Sequence, residues 1–148
     1  MTVIAWDGET LAADKLSTQY SQKQKVKKIF RLKDGSIAGV SGTAVYGMAI
    51  INWLNSDERK HEDYPKNISN NEESFSCVLV ITKDKKVFKY EMLPYPIEIE
   101  TKLCAIGSGQ DYAMAAMVCG KTAVEAVLIT NDLSSDCGLG VDAISLDD

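Results

Sequence analysis

The residue with the most chemistry to offer is Thr2, directly behind Met1. A small side chain at this position permits removal of the methionine, which would leave a threonine with both a hydroxyl and a free α-amine. An α-amine has a reference pKa of about 7.7–8.0, so near neutral pH part of it is unprotonated and can act as a general base. One residue then supplies nucleophile and base together. This suits a chain with a single histidine, His61. A Met-Thr start is common by itself, so its surroundings decide what it means.

Other routes to hydrolytic chemistry find little support. A Ser-His-Asp triad would need His61, which lies in the polar stretch 57–74 and reads as a surface loop residue. No G-x-S-x-G elbow accompanies it. One histidine excludes a His-rich metal site. The four cysteines, Cys77, Cys104, Cys119 and Cys137, lack the C-x-x-C spacing of a zinc ribbon or a thioredoxin-like motif. Cys77 and Cys104 sit in apolar, strand-like runs and read as buried free thiols.

The elements that must position Thr2 begin with it. Thr2-Val-Ile-Ala-Trp6 is an apolar, β-rich run, Asp7-Gly8 is a hairpin turn signal, and Thr10-Leu-Ala-Ala-Asp14 returns as the partner strand. After a polar connection, 26–32 reads as a third strand, and Lys33-Asp34-Gly35 turns it into 36–41. Residues 43–54 read as a helix with Val45, Met48, Ala49 and Trp53 on one face. The polar stretch 56–74 reads as a loop. A second hairpin pairs 75–82 with 87–92, and 102–106 is a short strand beyond Pro94 and Pro96. A helix runs to about residue 118 with Ser108 as N-cap. Thr122-Ala-Val-Glu125 is a capping box that opens a helix to about residue 131. Residues 133–140 form a loop and 141–146 a last strand. Strand pairs with short turns and blocks of helices imply α+β, with antiparallel sheets under helical layers.

The 148 residues favour one domain, 1–148. An apolar fraction of 45% and a charged fraction of 25% are ordinary for a globular chain. The net charge of −5 argues against a nucleic-acid partner. The basic cluster Lys23, Lys25, Lys27, Lys28, Arg31 and Lys33 is the exception and reads as a strand with a solvated face. No apolar run is long enough to cross a bilayer, and the start lacks the pattern of a signal peptide, so no membrane partner and a cytoplasmic location are expected.

Four motifs then occur in order: Thr2-Val-Ile-Ala-Trp-Asp-Gly8 with Thr10-Leu-Ala-Ala-Asp-Lys15, Lys25-Val-Lys-Lys-Ile-Phe-Arg31, Val40-Ser-Gly-Thr-Ala44, and Ala105-Ile-Gly-Ser-Gly-Gln-Asp-Tyr-Ala113. Together they resemble the proteasome β subunits and their bacterial two-component peptidase relatives. The likeness extends most closely to short proteasome-like proteins of phage and prophage. It implies a four-layer αββα sandwich of the N-terminal nucleophile hydrolase type, and threonine-type cleavage of peptide bonds without a cofactor. By this likeness Thr2 is the nucleophile, and Asp14 and Lys28 support it. The Gly42 N–H forms the oxyanion hole, Ser108 bonds near the threonine amine, and Val40 lines the main substrate pocket. A lysine ammonium beside the threonine favours the ionised hydroxyl and the neutral amine, and a carboxylate keeps that lysine charged and oriented. On the residues alone, Asp14 and Lys28 read first as a strand-end ion pair, and Gly42 reads as a turn glycine, Ser108 as an N-cap and Val40 as core.

The implied partners are a peptide or unfolded polypeptide substrate and further copies of the chain, with room for an unfoldase. Thr2, Asp14, Lys28 and Gly42 are expected to converge at one end of the sheets. There are departures from the family pattern. The first hairpin is a few residues shorter. Ser134 stands where the proteasome has a supporting aspartate, which the two-component relatives also lack, and Cys137 stands in place of a serine. The loop 56–74 replaces a long helix used in assembly. A catalytically silent structural protein with this fold and a small-amide amidase are the competing readings.

Overall fold

The computed structural model describes residues 1–66 and 76–147. Its centre is the hairpin of β1 (Ile4–Trp6) and β2 (Thr10–Asp14), paired antiparallel with Ala5 opposite Ala12. The Asp7 carboxylate makes this turn by accepting the N–H groups of Glu9 and Thr10, each at 2.8 Å. This is how an aspartate initiates a turn.

Two shorter strands follow, β3 (Leu16–Gln19) and β4 (Gln22–Lys25), which pair only with each other among the described residues. Next come β5 (Ile29–Arg31), β6 (Ile37–Gly42) and helix α1 (Ala44–Leu54). Strands β7 (Ser76–Ile81), β8 (Val87–Tyr90) and β9 (Ile97–Ile99) complete a five-stranded antiparallel sheet in the order β5-β6-β7-β8-β9. Strand β10 (Cys104–Ile106), helices α2 (Gln110–Val118) and α3 (Ala123–Leu133), and strand β11 (Val141–Ser145) close the chain. The four-stranded sheet runs β10-β1-β2-β11.

Three apolar clusters bind these elements. Ile4, Trp6, Leu11 and Ala13 of the four-stranded sheet meet Ile29, Ile37, Leu79 and Ile81 of the five-stranded sheet. On the other side of the five-stranded sheet, Ala38, Val40, Val78 and Val80 pack under Tyr46, Ile50, Trp53 and Leu54 of α1. On the other side of the four-stranded sheet, Val3, Ala5 and Ala12 pack under Ala113, Met117, Ala126 and Val127. Successive strand residues point to opposite faces. A strand covered on both faces therefore reads as one continuous apolar run, as 3–6 and 77–81 do. The alanines at 5, 12, 113, 123 and 126 bring α2 and α3 close to their sheet.

Several expectations need correction. The buried face of α1 is Tyr46, Gly47, Ile50, Ile51, Trp53 and Leu54, whereas Val45 and Met48 are exposed. The helix is apolar almost all round, so its period does not select a face. The sheet beneath, with Ala38, Val40, Val78 and Val80 under the helix, does so instead. The strand expected over 26–32 spans only Ile29–Arg31, because Val26 donates its N–H to the Lys15 carbonyl, at 2.8 Å, at the base of the β3–β4 hairpin rather than to the five-stranded sheet. Strand β9 lies where the prolines suggested only a break. Ser108 is not an N-cap: α2 starts behind Gly109 with no side-chain cap. The capping box at Thr122 and Glu125 is present, and α3 extends to Leu133. Within 56–66 a single 3-10 turn spans His61–Asp63, and His61 is exposed against Tyr95. The remainder of the expected loop, 67–74, and Phe75 lie outside the described residues. Among the described residues no helix is long and apolar enough to cross a membrane.

Candidate active site

Asp14 ends β2 and is 0% exposed. Its Oδ1 accepts the Val3 N–H at 3.1 Å and the Lys28 ammonium at 2.8 Å. Its Oδ2 accepts the N–H groups of Leu16 at 3.3 Å and Gly138 at 3.1 Å. Burial of a carboxylate is costly unless it is paired and hydrogen-bonded, and here four donors meet it. Lys28 lies in the extended link between β4 and β5, where its carbonyl accepts the Val40 N–H at 2.9 Å. Its ammonium, 7% exposed, donates to Asp14 Oδ1, to Thr2 Oγ1 at 3.2 Å and to the Met1 carbonyl at 3.1 Å. An ammonium has three donors and no acceptor, so this one is fully used.

Thr2 is 5% exposed and is clamped at both ends of its own backbone. Its N–H donates to Ser108 Oγ at 3.2 Å, and its carbonyl accepts the Gly109 N–H at 3.0 Å. Gly107, between β10 and α2, makes this approach possible. Its φ is +97°, and a Cβ there would lie 2.2 Å from the Thr2 carbonyl oxygen. Only glycine fits both demands.

The loop before β11 closes the site from behind. Cys137 is buried there, and its thiol is pushed above the ordinary range, first by burial and then by the Asp14 carboxylate. The Ser134 and Ser108 hydroxyls and the Lys28 ammonium act the other way on it. Asp136 is exposed, and its N–H donates to Ser134 Oγ at 3.2 Å.

Two clefts meet at Thr2. One of about 310 Å³ has Thr2, Val40, Gly42, Phe30 and Met48 in its lining, with Leu16 and Thr18 of the β3–β4 hairpin opposite. The other, of about 520 Å³, runs past Thr2, Gly42, Cys77, Gly107 and Ser108. Gly42, with φ at +92°, stands in both. The arrangement sets one hydroxyl beside a buried positive charge, with open space on either side along which an extended chain could lie. Among the described residues no group of three or more His, Cys, Asp or Glu side chains is placed to hold a metal ion.

The residues anticipated from sequence thus come together: Thr2, Asp14, Lys28 and Ser108 in direct hydrogen-bonded contact, Gly42 and Val40 in the cleft lining. Sequence reasoning missed the backbone donors at Val3, Leu16 and Gly138 and the role of Gly107. Gly107 and Gly138 do leave a signal, each being a glycine in a short Gly-rich segment next to a strand.

No protein-family profile and no curated protein matches the chain. Solved structures do. The fold is similar to that of Thiobacillus denitrificans BPH in complex with epoxomicin, with a TM-score of 0.73 and 22% identity over 99% of each chain. It is likewise similar to a second structure of Thiobacillus denitrificans BPH, with a TM-score of 0.70 and 21% identity over 99% of this chain and 98% of that one. Eukaryotic HslV from Trypanosoma brucei aligns with a TM-score of 0.69 and 18% identity over 97% of both chains. The fold is therefore similar to that of BPH and HslV.

Proposed function

We propose that the chain is a threonine-type N-terminal nucleophile hydrolase that cleaves peptide bonds once removal of Met1 frees the Thr2 amine. The observation that carries this reading is one buried ammonium, Lys28, held by Asp14 at 2.8 Å and directed at Thr2 Oγ1 at 3.2 Å where two clefts meet. The amine takes the hydroxyl proton, directly or through one water, and Oγ1 attacks the carbonyl carbon of the substrate. The oxyanion that forms faces the Gly42 N–H. Collapse breaks the C–N bond, the leaving amine takes the proton from Thr2, and an ester on Oγ1 remains. Water then attacks this ester, returns a proton through the amine and releases the acid. Lys28 favours the charged oxygen throughout, Asp14 keeps the lysine in place, and Ser108 orients the amine. No cofactor enters the scheme.

Around this core we read the three apolar clusters as a four-layer αββα arrangement and residues 1–148 as one domain. We infer a cytoplasmic homo-oligomer that acts on peptides or unfolded polypeptides, with an unfoldase as a further partner, and a kinship with the short phage-type members. The likeness to BPH and HslV supports the hydrolase reading. A second reading, a silent assembly protein, rests on Met1. With Met1 in place the Thr2 nitrogen is an amide and not a base, and the Met1 carbonyl occupies one Lys28 donor.

Intact mass separates the two, because it reports directly whether Thr2 is terminal. Protein with free Thr2 is expected to gain the mass of one epoxomicin, the compound bound in the Thiobacillus protein. Thr2→Ser should retain part of this reaction and Thr2→Ala none, with peptide turnover falling to background. Free-Thr2 protein that neither reacts nor turns over peptide sinks the hydrolase reading.

A further inference from the structure

Residues 15–33 hold seven of the chain's 16 basic side chains and no Asp or Glu, in a protein of net charge −5. Some of these charges are already matched. Lys15 pairs with Asp142 at 2.6 Å, Lys28 pairs with Asp14, and Arg31 donates to the Ser145 carbonyl. Lys23, Lys25 and Lys27 are different: among the described residues none of them forms an ion pair.

Their placement is specific. In the β3–β4 register Lys23 stands opposite Thr18 and Lys25 opposite Leu16. Directly opposed residues share one face of a sheet, and Thr18 and Leu16 both line the 310 Å³ cleft. Lys23 and Lys25 therefore share the hairpin face of Leu16 and Thr18, exposed and outside the lining itself, to which Ser17 also contributes. Lys27, one strand period further on, lines the cleft itself, with Nζ 5.4 Å from the centre of the Phe30 ring. The cleft thus has an apolar floor of Phe30, Val40 and Met48, Lys27 in its lining with the exposed Lys25 and Lys23 continuing from it along the hairpin, and no carboxylate among the described residues that line it.

We propose that the β3–β4 hairpin with Lys27 is an acid-recognising arm, and that the substrate is an extended acidic peptide. This rests on the hydrolase reading above. An apolar side chain fills the cleft, and carboxylates at alternate positions on one side of the cleaved bond meet Lys27, Lys25 and Lys23. Alternate side chains of an extended peptide recur about every 6.8 Å, the same period as alternate residues of β4. One peptide can therefore match successive lysines without bending. Screening reaches about 8 Å at physiological salt, so Lys27 dominates and the outer lysines act on near neighbours only. A single-stranded nucleic acid would meet the same charges, but the apolar floor and the net charge of the chain favour a peptide.

The test uses fluorescein-labelled peptides of one length around a central leucine, with Asp, Gln or Lys at the alternate positions. Binding is read by anisotropy on full-length Thr2→Ala protein, and cleavage on free-Thr2 protein. The Asp peptide should bind at least about tenfold more tightly than the Gln peptide, an advantage that shrinks with added salt. Lys23→Glu, Lys25→Glu and Lys27→Glu together should reverse the preference, and the three Gln variants should abolish it without changing the melting temperature. Equal binding and cleavage of all three peptides overturns the arm and leaves the hydrolase reading intact. Selective binding of the Asp peptide with no cleavage by free-Thr2 protein keeps the arm and overturns the hydrolase reading. Displacement of the Asp peptide by an oligonucleotide of equal charge at lower concentration overturns the peptide assignment.

Discussion

The β1–β2 and β3–β4 hairpins are separated by one residue, Lys15, and have opposite fates. Every residue of β1 and all of β2 except Thr10 are buried, between β10 and β11 at the sides and under helices and the second sheet on the two faces. In β3 and β4 only Leu16 is buried. The turns differ as well. Asp7 ties the first turn to the start of α3 by accepting the Ala123 N–H at 2.8 Å, a carboxylate at the positive end of a helix. The second turn carries Tyr20, 100% exposed and at a φ of 55°. In the function proposed, the buried hairpin holds the chemistry, with Thr2 ahead of it and Asp14 at its end, while the exposed one borders the cleft. Functional variation belongs on such exposed segments, which a rigid scaffold positions.

The largest break in that comparison should come from Asp14→Ala. It leaves Lys28 buried beside neutral oxygens and strips a partner from three backbone N–H groups, so a loss of about 3–5 kcal/mol is expected in urea unfolding. Lys28→Ala should cost less stability, because the Asp14 carboxylate keeps the N–H groups of Val3, Leu16 and Gly138. Its loss of peptide turnover should nevertheless approach that of Thr2→Ala, since residues that act as a unit fail together. Equal stability losses for the two variants would contradict the hydrogen-bond asymmetry.

Gly107→Ala comes next, at about 1–3 kcal/mol for a strained backbone position. Because the new methyl would press on the Thr2 carbonyl, reaction with epoxomicin should fall more than stability does. On the exposed hairpin the sign reverses: Tyr20→Asn should stabilise by up to about 1 kcal/mol, as asparagine tolerates the left-handed region better. A destabilising result would mean that the Tyr20 ring has a partner in solution.

The smallest signal is expected from the thiols. Burial pushes Cys77 up to about 12, and it raises Cys104 and Cys137 as well, so at pH 8 all three remain neutral thiols, whereas Cys119 is exposed. Iodoacetamide should modify native protein at Cys119 alone, and all four cysteines after unfolding. Rapid native labelling of Cys137 would show that the loop behind Asp14 opens.

Local pattern alone was enough for the first hairpin, the second sheet's central strands and the capped helix α3, because each carries a run whose period or end signal admits one reading. Thr122 and Glu125 need only three residues of chain to find each other. Where the chain is apolar on all sides, as in α1, period carries no information, and the sheet beneath chose Tyr46, Ile50 and Leu54 over Val45 and Met48. The β3–β4 hairpin escaped notice for the opposite reason, since a polar pair that covers nothing has no hydrophobic alternation to read.

The amino-acid sequence by itself determined that Thr2 precedes a buried strand, that Asp14 ends the next one, and that a basic, acid-free segment follows. Those properties reside in neighbouring residues and in composition. Tertiary structure alone decided that Lys28 reaches both Asp14 and Thr2, that Gly138, 124 positions from Asp14, completes that carboxylate, and that Lys27 lines the same cleft as Thr2 and Val40. Each is a contact between segments far apart in the chain, and such contacts form only when two sheets pack and bring their ends into register.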